Sequence, residues 1–291
     1  MAAYFRTRSH IRPLSWNDEL YVVQGQPLAI KVHGLGPNRQ HLTVRAIRGN
    51  VSVRVIRADN NNIEQDIEVS VVFGGQDELR AYVSQLDEDF FCDAAVASPM
   101  GCIHPLKITA YRKLDFPPNI SADELALLRV FLSETITPEK PTFNLEDAVR
   151  AMQYMRQVIY NRMAFSHPQY FNIARGNLNL FGVIGARGQI DGFGDYPNID
   201  ARSADRISKF MIACNRTGMG EKLRSFRQLY QGALDVATGN NPGIQHIPPL
   251  YSWRTAGQGS PGSNFQTELS LQGQTFFSLT PAFISDPNGR K

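Results

Sequence analysis

The sequence predicts an α+β protein in two parts: an N-terminal antiparallel β-sandwich-like domain over residues 1–115, then a mainly helical domain over 116–291. Three observations lead there. The 291 residues exceed the usual size of one compact domain. The spacing of apolar residues changes from about two to about 3.6 near Asp115. At that change stands Asp115-Phe116-Pro117-Pro118-Asn119, whose prolines remove backbone donors and disfavour helix in the preceding residue.

Before Asp115, short β-rich runs alternate with turn residues. The runs are Leu20–Val23, Leu28–Val32, Leu42–Ile47, Val51–Ile56, Ile67–Phe73 and Ile108–Tyr111, separated by Gly25, Gly34–Asn38, Gly49-Asn50 and Asp59–Asn62. In Val51-Ser52-Val53-Arg54-Val55 the valines share one face, as a sheet with one solvated side requires. Arg45, Arg48, Arg54 and Arg57 either line a binding surface or form that solvated face.

After Asp115, Ser121 and Glu124 make a capping-box pattern ahead of Leu125, Leu127, Leu128, Val130, Phe131 and Leu132, and Pro138 and Pro141 close the helix. A second helix is expected from near Asn144 to Met163, with Leu145, Ala148, Met152, Met155, Ile159 and Met163 on one stripe, the methionines filling core. Ala204–Cys214 and Glu221–Ala237 read as two more amphipathic helices. Beyond Gly239, Gly, Pro, Ser and Asn predict long loops with one short strand near Thr275–Leu279.

Composition excludes several classes. Hydrophobic residues make up 42% and charged residues 20%, enough for a packed core and unlike a disordered chain. The net charge of +3 is too small for a dedicated nucleic-acid binder. Residues 1–115 hold 13 basic and 13 acidic side chains, and 116–291 hold 17 and 14, so the excess that could attract an anionic polymer lies in the second part. No window approaches the about 18 apolar residues of a membrane span, and Leu125–Leu132 is broken by Arg129. Met1–Trp16 carries Arg6, Arg8 and Arg12 without the apolar core of a secretory signal, so export by another route is the expectation. The three cysteines, Cys92, Cys102 and Cys214, make neither a disulfide framework nor a four-ligand zinc site, and Cys214 reads as core. No cofactor or metal is expected.

Glu134 is the strongest candidate for chemistry. Leu127, Val130 and Phe131 lie seven, four and three positions before it, which puts its carboxyl on the apolar stripe. Burial there disfavours the carboxylate and keeps a proton available for a leaving oxygen; a frayed helix end would instead turn Glu134 into water. Gly188-Gln189-Ile190-Asp191-Gly192-Phe193-Gly194 is either a polar loop permitting close backbone approach or a tight turn anchored by Phe193. Tyr251-Ser252-Trp253-Arg254, before the Gly257–Gly262 loop, suits stacking on sugar rings and pairing with carboxylates, and equally suits a buried packing tryptophan. Walker A, HExxH and GxSxG motifs are missing. A Cys92–His104 nucleophile pair is disfavoured by Asp87-Glu88-Asp89, which would raise the thiol pKa.

Taken in order, Ser133-Glu134-Thr135, Val158-Ile159-Tyr160-Asn161-Arg162, Gly188-Gln189-Ile190-Asp191-Gly192-Phe193 and Gly273-Gln274-Thr275-Phe276-Phe277 resemble the landmarks of the SleB-type cell wall hydrolases. The resemblance covers roughly residues 120–281 and implies a lysozyme-like domain that cleaves peptidoglycan glycan strands. It implies Glu134 as the catalytic glutamate, Asn161 and Arg162 as the Asn-Arg pair, and Gln189 and Phe193 near the glycan cleft. The chain departs from the family in a longer Glu134-to-Asn161 segment and in Gln274-Thr275 where a histidine is expected. With an unrelated β domain, it is similar to antibacterial effectors carried by type VI secretion, which act in the periplasm or cell wall of a target bacterium and meet a secretion apparatus or an immunity protein.

The expected function is therefore a lysozyme (muramidase) cutting the β-1,4 bond between N-acetylmuramic acid and N-acetylglucosamine, with Glu134 as general acid and Asp191 as the second catalytic group, Glu139 or Glu268 being fallbacks. Asn161, Arg162, Gln189, Phe193, Tyr251 and Trp253 are the expected substrate-binding residues. The alternatives are a lytic transglycosylase of the same bond, a cysteine- or metal-dependent peptidoglycan amidase, and a non-catalytic glycan-binding or adaptor protein.

Overall fold

A computed structural model describes residues 4–7, 14, 18, 20–33, 43–46, 50–58, 64–72, 78–84, 108–220 and 222–287. The protein is α+β. It divides into two compact units, residues 1–115 with 215–223 and residues 116–214 with 224–291. One cut does not describe the chain, because the connection after residue 214 belongs with the first unit.

The first unit holds β1 (Tyr4–Thr7), β2 (Leu20–Val23), β3 (Leu28–His33), β4 (Thr43–Ala46), β5 (Asn50–Ala58), β6 (Glu64–Val72), β7 (Glu78–Ser84), β8 (Ile108–Tyr111) and β9 (Gly218–Met219). One sheet has the order β1-β3-β6-β5 and is antiparallel throughout. The other has the order β4-β7-β8-β2-β9 and is mixed, since β2 and β8 run parallel from Leu20↔Ile108 to Val23↔Tyr111. That corrects the expectation of purely antiparallel pairing: β8 is antiparallel to β7 on one side and parallel to β2, a strand far earlier in the chain, on the other, where no hairpin fixes the direction. Strands β1 and β7 also go beyond the expected runs.

In β6 the alternation is explicit, with Val69 and Val71 buried and Glu68 and Ser70 partly exposed. Arg54 lies opposite Glu68 and Arg57 opposite Asp66 in the β5–β6 register. Arg8, Arg12, Arg48, Gly34–Asn38, Asp59–Asn62, Asp87-Glu88-Asp89, Cys92, Cys102 and His104 lie outside the described residues.

Residues 215–223 are held into this unit by specific bonds. The Asn215 side chain and the Leu114 backbone exchange two hydrogen bonds of 2.7 Å each. Thr217 Oγ1 accepts from Val23 N at 2.9 Å and donates to Gln26 O at 2.6 Å. β9 pairs with Leu20 and Tyr21, and Leu223 packs with Tyr21 and Val23, which Tyr111 joins. A fragment comprising residues 116–291 loses every one of those partners. We expect it to melt below the intact chain, by calorimetry, because a two-residue strand and buried apolar contacts are left against water; equal melting would show that the connection contributes nothing to stability.

The second unit begins with α1 (Ala122–Glu134) and α2 (Leu145–Ala164). The capping box forms as expected: Glu124 N donates to Ser121 Oγ at 3.2 Å, and Ser121 N donates to Glu124 Oε2 at 2.9 Å. α1 buries Leu127, Leu128, Val130, Phe131 and Leu132. Asn144 caps α2 by accepting from Asp147 N at 3.0 Å, and Met152 and Met155 are core. Around them lie α3 (Leu180–Ile184), α4 (Ala201–Cys214), α5 (Lys222–Thr238) and α6 (Pro281–Ser285).

The C-terminal region corrects a second expectation. Rather than loops with one strand, it forms an antiparallel sheet of β10 (Leu250–Thr255), β11 (Phe265–Leu271) and β12 (Gln274–Leu279), ordered β10-β12-β11. The central strand, β12, is nearly continuous in its burial, whereas β11 has no fully buried residue and interleaves polar side chains as a loop does.

Candidate active site

Helix α1 stays regular through Glu134, and the extended backbone of Thr135 ends it there. Glu134 therefore remains on the apolar stripe, half-buried, with Oε1 buried and without a hydrogen-bond partner. Its main chain is also fixed: Gln274 Nε2 donates to Glu134 O at 2.9 Å, and Arg206 Nη1 donates to the preceding Ser133 O at 3.4 Å. Desolvation pushes the Glu134 carboxyl above the usual carboxylate range; the facing Trp253 indole N–H and the Arg206 charge oppose that rise, Asp191 adds to it, and Arg202 opposes it again.

Two adjoining cavities of about 510 and 610 Å³ share Glu134, Arg206 and Thr255, and so form one groove with the acid at the junction. The first is lined by the apolar Leu132, Ile136, Phe210 and Phe226 together with the charged or polar Glu139, Lys140, Lys209 and Gln274. The second is polar and is lined by Gln189, Asp191, Arg202, Trp253, Arg254 and Gln258. Beside Glu134 Oε1, the side-chain oxygens Thr135 Oγ1 and Gln274 Oε1 are likewise buried and unpartnered. Buried orphan oxygens are costly to keep and are explained by a bound water or a donor on a ligand. No protein family, curated protein or solved structure matches this chain. The functional reading accordingly rests on this groove.

The glycine-rich segment is a turn that carries polar side chains into the groove. Gly188 and Gly192 have φ of +76° and +77°. Gly192 also has no room for a Cβ, which would strike Ser203 Oγ and come within 2.7 Å of Asp200 Oδ1. The Gly192 carbonyl accepts from Asp200 N at 2.9 Å, and Asp200 caps α4 by accepting from Ser203 N at 2.7 Å. Gly192→Ala is expected to lower stability by about 1–3 kcal/mol, read from the unfolding midpoint, because both the positive φ and the contact must be relieved; an unchanged midpoint would mean that the turn is not tied to α4.

Of the expected site residues, Glu134, Gln189, Asp191 and Trp253 converge on the groove. Asp191 is exposed and lies 3.9 Å from Arg202 Nη1. Four others are corrected. Phe193 is fully buried and stacks on Tyr196 at 6.1 Å, so it anchors the turn and does not meet a substrate. Asn161 Nδ2 donates to Leu250 O at 2.9 Å and Arg162 Nε to Tyr251 O at 2.7 Å, so the Asn-Arg pair clamps α2 to β10. Arg162 is 3% exposed and lies over the rings of Phe171 and Trp253, at 5.1 and 5.8 Å. Burial holds its pKa down at about 9, and at neutral pH it stays charged. Tyr251 turns away from the groove into a cluster with Phe165 and Phe171, and burial raises its hydroxyl pKa.

The fallbacks also separate. Glu139 lines the first cavity, whereas Glu268 Oε1 accepts from Gln266 Nε2 and Ser278 Oγ on the sheet and lines neither cavity. Cys214 is buried, its thiol pushed up to about 12 by desolvation, the Arg227 charge opposing. Among the described residues no group of three His, Cys, Asp or Glu is placed to hold a metal. Arg202 and Arg206 went unrecognised in the sequence; their only local signal is basic residues four apart on an amphipathic helix, which ordinary solvated helices share.

Proposed function

We propose that the protein is a peptidoglycan glycosidase, a lysozyme-like enzyme whose Glu134 protonates the glycosidic oxygen between N-acetylmuramic acid and N-acetylglucosamine. The observation that carries this reading is a carboxyl raised in pKa by burial, at the junction of two cavities large enough for neighbouring sugars. Glu134 gives its proton to the leaving oxygen, the C1–O bond breaks, and positive charge develops on the sugar ring. A water deprotonated by Asp191 then adds to C1, yielding a reducing end. Asp191 supports this role by its place in the groove and its exposure to solvent. In the transglycosylase variant of the same chemistry, the sugar's own 6-hydroxyl adds instead and leaves an anhydro end. The setting we propose, from the resemblance to type VI effectors, is the cell wall of a target bacterium, with a secretion apparatus or an immunity protein as partner. Among the described residues no helix is long and apolar enough to cross a membrane.

Mass spectrometry of fragments released from purified peptidoglycan, before and after borohydride reduction, tests the reading. Reducible disaccharide-peptides are the expected product. Anhydro ends would replace hydrolysis by transglycosylation, free peptides would replace the glycosidase by an amidase, and retention on peptidoglycan without release would leave a binding protein.

A further inference from the structure

Gln274 opens β12, and its place is fixed from several sides. Its main chain pairs with Thr255 of β10 and with Leu271 of β11. The preceding turn, Gln272-Gly273, has φ of +47° and +75°, and Gln272 ties it to the α1–α2 connection by accepting from Asn144 N at 3.2 Å and donating to Thr142 O at 3.2 Å. Gln274 is 7% exposed and lines the first cavity. Because Glu134 O can only accept, the amide nitrogen of Gln274 must face it and the amide oxygen must face away. That oxygen, Glu134 Oε1 and Thr135 Oγ1 are all buried, and none bonds another directly. Their supply of hydrogens depends on Glu134. When Glu134 is ionised, its Oε1 and Gln274 Oε1 can only accept, and the Thr135 hydroxyl has one hydrogen for both. When Glu134 is protonated, a second hydrogen is present and the set balances. An unserved buried acceptor is costly, so this arrangement favours the acid form in the same direction as desolvation. The charged groups that line the two cavities with Glu134 are Arg202, Arg206 and Lys209 of α4, Asp191 of the glycine-rich turn, Arg254 of β10, and Glu139 and Lys140 beyond α1. Gln274 adds to them a neutral acceptor held in one orientation.

We propose that Gln274 is a positioning residue for Glu134: its amide nitrogen holds the end of α1, and its amide oxygen accepts the Glu134 carboxyl proton through a bridging water. The catalytic meaning of this arrangement, an acid that enters the reaction loaded, rests on the glycosidase reading. The arrangement itself is a property of the free protein.

The test follows the Glu134 carboxyl across pH by carbon NMR of the full chain labelled at its glutamate carboxyl groups, the signal being identified by its loss in Glu134→Gln. Gln274→Met keeps the length of the side chain and removes both ends of the amide. Gln274→Glu also loses the nitrogen but keeps acceptor oxygens. Gln274→Met should lower the Glu134 titration midpoint, by about five- to ten-fold in proton affinity, the worth of one hydrogen bond. Gln274→Glu should lower it less or raise it, because a second carboxyl can share the proton. Thr135→Val, which removes a hydrogen and keeps the shape, should raise the midpoint or leave it in place. With peptidoglycan as substrate, the alkaline limb of activity in Gln274→Met should move down with the midpoint. A midpoint in Gln274→Met that is unmoved or raised would overturn the proposal, as would a fall in Thr135→Val. An equal fall in Gln274→Met and Gln274→Glu would overturn it too, since only the hold on the main chain would then matter. The expected shifts without any product from peptidoglycan would overturn the glycosidase reading and leave the role of Gln274 standing.

Discussion

Glu134→Gln is expected to lower release of soluble fragments from peptidoglycan by about 10²–10⁴-fold, the usual contribution of a general acid. The amide keeps the shape and the burial but has no proton to give. Two pH signatures accompany the loss. Activity of the intact enzyme requires the protonated form, so it should fall as pH rises through the raised Glu134 pKa, and the limb should stand above the ordinary carboxylate range. Stability runs the same way. With the folded pKa above the unfolded one, the folded state holds its proton longer, so stability declines as pH climbs from the unfolded value through the folded value. Glu134→Gln removes that decline, and at neutral pH the variant should melt no lower than the wild type, and higher if the carboxylate has by then formed. A variant that is inactive yet at least as stable is what a functional buried acid produces. Activity that persists in Glu134→Gln, measured on the same peptidoglycan, would remove this residue from the mechanism.

Arg162→Ala is expected to cost about 2–5 kcal/mol of stability and, in the protein that still folds, to lower activity well below wild type. The residue never reaches the groove. Its guanidinium binds the Tyr251 carbonyl from α2 and covers one side of Trp253, whose indole N–H faces Glu134. Truncation leaves a buried carbonyl unpaired and a void behind that ring. Arg162→Met should recover much of the stability, because it refills the volume and removes a desolvated charge, but not the hydrogen bond that sets β10. Denaturant titration with assays of both variants separates the two effects, and an Arg162→Met protein with full activity would show that Trp253 is held by other contacts.

Much of the frame was legible along the chain. Ser121 and Glu124 announced the start of α1, Asn144 the start of α2, and three apolar residues at helical spacing marked the face that Glu134 shares. These are local facts, set by backbone capping within a turn and by the burial of one stripe. Strand β11 was not legible, because a strand without a buried residue interleaves the same polar residues as a loop. The Asn-Arg pair was visible as a motif but not as a clamp, since its partners lie about ninety residues later on β10.

The sequence alone thus determined the α+β class, the helices α1, α2, α4 and α5 and the candidate acid, each through interactions spanning a few residues. Tertiary structure decided what stands around that acid. It brought Trp253, the Gln189–Asp191 turn and the α4 arginines to Glu134, sent Phe193 and Arg162 into the core and Tyr251 against Phe165 and Phe171, and drew residues 215–223 into the β unit. Those outcomes depend on packing between segments distant in sequence, where a side chain's direction follows from which neighbour fills the space, and no local pattern encodes it.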